Sequence, residues 1–208
     1  MTILNLIRDK IQDYRHKRDY SKWVSSGMPI PPPHSVKQMT VKAYARIHGI
    51  TVLIETGTYL GEMVSAMKHV FDCVYSIELG DELYQKAKKK FSRDLQVSIL
   101  HGDSTKVLPG ILEQIKIPCL FWLDGHYSAG VTARGEKETP ILEELKNILN
   151  HPVKEHVILI DDARCFIGQG YYPSLAELKE IILRRYPDNA FEVKDDIIRT
   201  YKNIAKLP

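Results

Sequence analysis

From residue 51 onward the chain alternates short apolar runs with longer amphipathic stretches. The runs at 51–55, 73–78, 96–100, 118–123 and 156–160 are nearly unbroken in hydrophobicity, the pattern of strands buried on both faces. Between them apolar residues recur at helical spacing, as in Leu60, Met63, Val64, Met67 and Val70. This predicts helices over 60–70, 81–91, 104–115, 140–149 and 174–186. Thr139 suits the cap of the fourth, and Pro140 its first helical position. Two last runs, 190–194 and 197–202, are separated by Asp195-Asp196 and read as a β-hairpin rather than another crossover. Strands joined by helices predict an α/β fold with a doubly wound, mostly parallel sheet, helices on both faces and a C-terminal antiparallel hairpin. In such sheets the ligand lies outside the carboxyl ends of the strands, at the switch point.

The first fifty residues are organised differently. Ile3, Leu4, Ile7, Ile11 and Tyr14 among charged neighbours predict an amphipathic helix over 2–19. Gly27 to Pro33 is too rich in proline for a helix or a central strand and reads as a stiff connector. A second helical pattern runs over 35–48 and stops at Gly49. The expected division is therefore residues 1–34, a helix and connector serving as cap, lid or dimer element, and residues 35–208, the main domain.

Composition narrows the class. The chain has 208 residues with 44% hydrophobic and 26% charged, the size and balance of one globular domain. A formal charge of +3 is too mild to argue for nucleic acid or a membrane surface. Lys86, Lys88, Lys89 and Lys90 fall late in a predicted helix, where they favour its C-terminal dipole. Cys73, Cys119 and Cys165 are odd in number and lack a C-x-x-C pair, so a reducing, cytoplasmic setting is expected. No apolar run is long enough for a membrane span.

The chemistry lies in the acids. Glu55, Glu78, Asp103, Asp124 and the pair Asp161-Asp162 each stand at the carboxyl end of a predicted strand. A helix cap explains one such acid, Asp103 included, but a row of them repels itself unless something cationic or rich in hydroxyls lies against it. The row marks a ligand site. Its centre is Glu55, Thr56, Gly57, Thr58, Tyr59, Leu60 and Gly61, a strand end, a glycine turn and a helix start. Glu78 follows Gly57 by 21 residues, the spacing of an acid that accepts ribose hydroxyls in nucleotide-binding sheets. Asp103 and Ser104 could then meet an adenine amine.

This constellation, with Glu78-Leu79 and His101-Gly102-Asp103-Ser104 behind the glycine turn, resembles the class I S-adenosylmethionine-dependent methyltransferases over about residues 36–202. The resemblance implies a Rossmann-like domain. It implies that Glu55, Thr56, Gly57, Thr58, Tyr59 and Gly61 cradle the amino-acid end of the cofactor, Glu78 and Leu79 the ribose, and Asp103 and Ser104 the adenine, with Asp124 as a further cofactor-binding residue. A nicotinamide-dependent dehydrogenase is the rival on the same architecture, and the missing second glycine makes it the poorer fit.

Trp122-Leu123-Asp124-Gly125-His126-Tyr127 and Ile160-Asp161-Asp162 add a second theme. If their strands are neighbours, Asp124, Asp161 and Asp162 converge, and three carboxylates suit Mg²⁺ or another hard divalent cation. The arrangement resembles the metal-dependent O-methyltransferases of the catechol and macrolide-sugar (macrocin and mycinamicin) types. By that resemblance Asp124, Asp161 and Asp162 bind the metal. Those families place their base three residues beyond the first acid, where Tyr127 stands here, whereas His126 lies one residue earlier. His126 is the candidate base, with Asp124 beside it as a further catalytic residue. The loop from Gly125 to Thr139 has the length of a lid, and with Arg164, Phe166, Tyr171 and Tyr172 it is expected to shape the acceptor pocket.

The expected activity is methyl transfer from S-adenosylmethionine to a hydroxyl of a sugar or similar diol, assisted by Mg²⁺. The expected partners are this small acceptor and a second copy of the chain, without nucleic acid or membrane. The alternatives are a metal-independent small-molecule methyltransferase and a non-catalytic, cofactor-binding regulator.

Overall fold

A computed structural model of the protein describes residues 3–125 and 139–203, with side chains from residue 11 onward. Helices α1 (Ile3–Ser25) and α2 (His34–His48) come first, followed by β1 (Val52–Thr56), α3 (Glu62–Met67), β2 (Cys73–Glu78), α4 (Asp81–Lys90), β3 (Val97–His101) and α5 (Ser104–Leu112). The chain continues through β4 (Leu120–Leu123), α6 (Ile141–Asn150), β5 (Val157–Ile160), α7 (Leu175–Arg185), β6 (Asn189–Lys194) and β7 (Ile197–Lys202). The seven strands form one sheet in the order β3-β2-β1-β4-β5-β7-β6. β1 to β5 are parallel, and β7 joins β5 and β6 antiparallel. The doubly wound sheet and its terminal hairpin are as the hydrophobic pattern predicts.

Alternation along the strands sorts the core into two halves. Ile54, Ile77, Phe121, Leu123, Ile158 and Ile160 pack with Leu108, Leu145, Ile148 and Ile182 of α5, α6 and α7. Leu53, Val74, Leu120, Trp122, Val157 and Leu159 pack on the other face with Val41, Met63, Val64 and Ala87 of α2, α3 and α4. Every residue of β1, β4 and β5 is buried, which is why these runs read as continuous rather than alternating.

Several boundaries moved. α1 extends to Ser25, where Trp23 is buried and donates to the Pro29 carbonyl at 2.8 Å. It lies along α2 through Lys42 and Asp13, 2.7 Å apart. α3 covers only Glu62–Met67, because Tyr59 and Gly61 adopt positive φ and delay the helix. The cap of α6 is shared: Pro140 is the capping residue, and the Thr139 hydroxyl accepts from Ile141 N at 3.3 Å. Asp195 and Asp196 both have positive φ, the requirement of a two-residue type I′ turn between β6 and β7. Among the described residues, no helix is long and apolar enough to cross a membrane, and the three cysteines are free.

One buried polar network ties the far end of the sheet together. Cys119 N–H donates to His156 Nδ1 at 3.0 Å, so Nδ1 carries no proton. His156 Nε2 then donates to His151 Nδ1 at 3.0 Å, and His151 Nε2 donates to the Leu112 carbonyl at 3.0 Å. Each ring is neutral in a single tautomer.

Candidate functional site at the carboxyl rim of the sheet

β1 lies between β2 and β4, and the chain winds outward in opposite directions from it. The switch point is therefore the crevice above β1 and β4. Gly57 closes it from one side. Its φ is +86°, and a Cβ there would sit 2.9 Å from the Asp124 carbonyl carbon and 3.3 Å from the Gly125 Cα. Only a residue without a side chain lets the two loops approach this closely.

The loop after β1 is tied to β2 by its backbone and by acids. Gly57 N and Thr58 N donate to the Ile77 carbonyl at 2.9 and 3.2 Å. Tyr59 N donates to one oxygen of Glu78 at 2.8 Å, and Gly80 N to the other at 2.8 Å. Glu78 is thereby fixed at the end of β2 and adjoins Leu79, which is partly exposed. Each carboxylate oxygen keeps a further lone pair for a ligand hydroxyl.

Glu55 behaves differently from a residue that faces a ligand. It is fully enclosed and accepts from the Ser76 hydroxyl, which in turn pairs with Thr58 Oγ1 at 2.6 Å. Burial pushes its carboxyl up to about 8, against the lowering effect of the Ser76 hydroxyl, and the nearby Glu78 adds to the rise. Glu55 thus props the glycine loop from beneath. Sequence reasoning passed over Ser76, although a small polar residue inside an apolar strand was a usable signal. Thr56 is also buried, and its Oγ1 has no hydrogen-bond partner among the described residues.

Asp103 caps α5. Its side chain accepts from Thr105 N at 2.9 Å and Thr105 Oγ1 at 2.7 Å, and Ser104 is buried behind it. Next to it His101 stacks on Tyr84, with centroids 4.7 Å apart. Asp103→Ala should lower stability by about 1 kcal/mol in a urea melt, and Asp103→Asn, which can still cap, should recover most of it. Equal melts for the two variants would remove the cap from the account.

β4 and β5 are in register, Leu123 opposite Ile160, so Asp124 and Asp161 emerge side by side. Asp161 N donates to the Leu123 carbonyl at 3.1 Å, and Asp124 N to the Thr56 carbonyl at 3.1 Å. The side chains do not form an open cage of acids. Lys37, from the first part of α2, makes an ion pair with Asp161 Oδ2 and lies 3.8 Å from Asp162 Oδ1. Asp162 is in the left-handed conformation and accepts from Arg164 Nη1 at 2.7 Å, while Arg164 also pairs with Asp196 of the hairpin turn. Burial opposes the charge on Lys37, but the Asp161 carboxylate outweighs it and holds the ammonium above its ordinary range. Burial raises the Asp161 carboxyl, with Lys37 acting against that rise. Asp161 Oδ1 is buried and has no hydrogen-bond partner among the described residues. Beside it lies a shallow cleft whose lining includes Leu123, Gly125, Thr139, Phe166 and Tyr172. The pairing of Arg164 with Asp196 and the reach of Lys37 are not legible in the sequence, since each depends on contacts between distant segments.

The predicted metal site can be tested against this geometry. Among the described residues, no three His, Cys, Asp or Glu side chains are grouped to hold an ion. One Asp161 oxygen faces Lys37 and one Asp162 oxygen faces Arg164, so a divalent cation here would compete with two cationic side chains for its oxygen ligands. His126 and Tyr127, and residues 126–138 of the predicted Gly125–Thr139 lid, lie outside the described residues.

Several solved structures resemble this one. The O-methyltransferase TomG from Streptomyces achromogenes, involved in tomaymycin synthesis and in complex with SAM, aligns with a TM-score of 0.55 at 13% identity, covering 90% of this chain and 89% of that one. An O-methyltransferase from Bacillus cereus in complex with SAH gives 0.55 at 14% identity, with 90% of each chain covered. The SAH-bound methyltransferase PaMTH1 from Podospora anserina gives 0.54 at 13% identity over 98% of each chain. The fold is that of the class I methyltransferases. No protein-family model matches the sequence, and neither does any curated protein. Within the methyltransferase fold, the Gly57 loop, Glu78 and Asp103 of this chain stand along the carboxyl rim of β1, β2 and β3 in that order.

Proposed function

We propose that the protein is an S-adenosylmethionine-dependent O-methyltransferase acting on a hydroxyl of a sugar or a similar diol. The observation that carries this reading is the Gly57 loop pressed against Asp124 at the switch point, with Glu78 anchored beside it. In this reading Thr56, Gly57, Thr58, Tyr59 and Gly61 hold the amino-acid end of the cofactor, with Glu55 supporting them from below. Glu78 and Leu79 take the ribose, and Asp103 and Ser104 take the adenine. The acceptor lies over Asp124, Asp161 and Asp162, whose carboxylates accept hydrogen bonds from hydroxyls. The mild net charge favours a small acceptor over nucleic acid, and the free cysteines suit the cytoplasm.

The reaction is an in-line displacement. The acceptor oxygen forms a bond to the methyl carbon as the carbon–sulfur bond breaks, leaving the cofactor as a neutral thioether. The acceptor proton passes to a base, for which His126 is the candidate. Holding the sulfonium and the oxygen in line supplies much of the acceleration. A divalent ion would lower the acceptor's pKa, yet the pairing of Asp161 with Lys37 favours the version of this reaction without one.

Calorimetry with S-adenosylhomocysteine tests the cofactor assignment directly. Wild type should bind it, and Glu78→Ala should bind it roughly tenfold to a hundredfold more weakly, since a charged acceptor shared by two hydroxyls is lost. Binding of NADH in place of the thioether would transfer the site to the dehydrogenase reading.

A further inference from the structure

The acidic rim carries its own cation. The Lys37 side chain is 15% exposed and its partner Asp161 is fully enclosed, so this is an interior ion pair rather than a surface one. Its ammonium contacts one Asp161 oxygen, lies 3.8 Å from Asp162, and is drawn further by the charge of Asp124. Lys37 therefore pairs with or lies close to two of the three acids that the sequence grouped as metal ligands.

Its position in α2 runs against local preference. α2 begins at His34 and has no acidic residue in its first turn, while Lys37 brings a positive charge to the positive end of the helix dipole. A local rule broken in this way requires compensation, and the carboxylates at the strand ends supply it. Mg²⁺ needs close to octahedral oxygen at roughly 2.0–2.1 Å, and at Asp161 it would meet the repulsion of an ammonium already in contact with Oδ2. Arg164 meanwhile engages Asp162 Oδ1, the same oxygen that Lys37 approaches, at 2.7 Å.

We propose that Lys37 is the resident cation of this site, occupying the place for which a divalent ion would compete. Asp161 and Asp162 are thereby held for the acceptor by a side chain of the protein itself. As a single-charged donor of three N–H groups, Lys37 positions Asp161 and Asp162 through hydrogen bonds and charge, where a metal would bind two acceptor oxygens at once. This goes beyond the methyl-transfer reading and rests on the rim geometry alone.

The test is Mn²⁺ binding to the full chain, followed by the loss of the free-ion paramagnetic signal. Wild type should show no micromolar site, and Lys37→Met should gain affinity by about tenfold or more, because the vacated carboxylates then attract the ion unopposed. Asp161→Asn added to Lys37→Met should abolish that gain. A micromolar Mn²⁺ site in wild type that Asp161→Asn removes would overturn the proposal, as would equal affinity in wild type and Lys37→Met. If Lys37→Met does not fold, the wild-type titration decides alone, with a micromolar rim site against the proposal and its absence in favour. Titration of the same samples with S-adenosylhomocysteine reports separately on the cofactor reading.

Discussion

Gly57→Ala is expected to abolish measurable binding of S-adenosylhomocysteine and to destabilise the protein. The two effects have separable causes. The backbone at φ +86° costs an L side chain about 1–2 kcal/mol by itself. The new Cβ also enters the space of the Asp124 carbonyl group, which is backbone and cannot rotate aside, so β1 and β4 must spread at the switch point. Gly49→Ala is the control. Gly49 has φ +63° but nothing within 4 Å of the place a Cβ would take, so it should show the conformational cost without the loss of ligand. Calorimetry and urea melts of both variants separate the terms. Wild-type affinity in Gly57→Ala would mean that the crevice between the two loops is not where the cofactor sits.

Acid sensitivity is the second large effect. His156 is wholly buried, and burial chiefly, with the neighbouring His151 and Lys154 adding to it, pushes its pKa down to about 4 from an ordinary 6.5. The unfolded chain therefore takes up a proton that the folded chain refuses between these values. The sign follows: this contribution is complete above pH 6.5 and is lost as the pH falls toward 4. The loss amounts to about 3 kcal/mol in all. Protonated His156 would direct a second N–H at the Cys119 amide, which already donates to Nδ1. Urea melts across this range should show wild type losing stability with a slope of about one proton more than His156→Gln. The variant should start from a lower value near neutrality, because the Cys119–His156–His151–Leu112 chain is broken. Equal slopes for the two proteins would assign the acid lability elsewhere.

Much of the fold was legible because burial leaves a simple mark on a chain. Strands covered on both faces are buried at every position, as β1, β4 and β5 are, and apart from Glu55 and Thr56 at the end of β1 these three strands are apolar throughout. The hairpin was readable because Asp-Asp tolerates the positive φ that a two-residue turn demands. The start of α3 was not, since Tyr59 gives no sign of a left-handed backbone until the Glu78 carboxylate captures its amide. Glu55 also read as a ligand contact, because an acid at a strand end looks alike whether it faces the crevice or the Ser76 hydroxyl behind it.

The order of acids along the rim was set by the chain alone: strand ends fall at fixed places in a parallel sheet, and alternation decides which faces are apolar. What meets those acids was decided only by tertiary structure. Lys37 precedes Asp161 by 124 residues and Arg164 precedes Asp196 by 32, and no local pattern links such pairs. A charge is read easily from a sequence, but its neutralising partner is chosen by packing, because electrostatic attraction acts through space rather than along the chain.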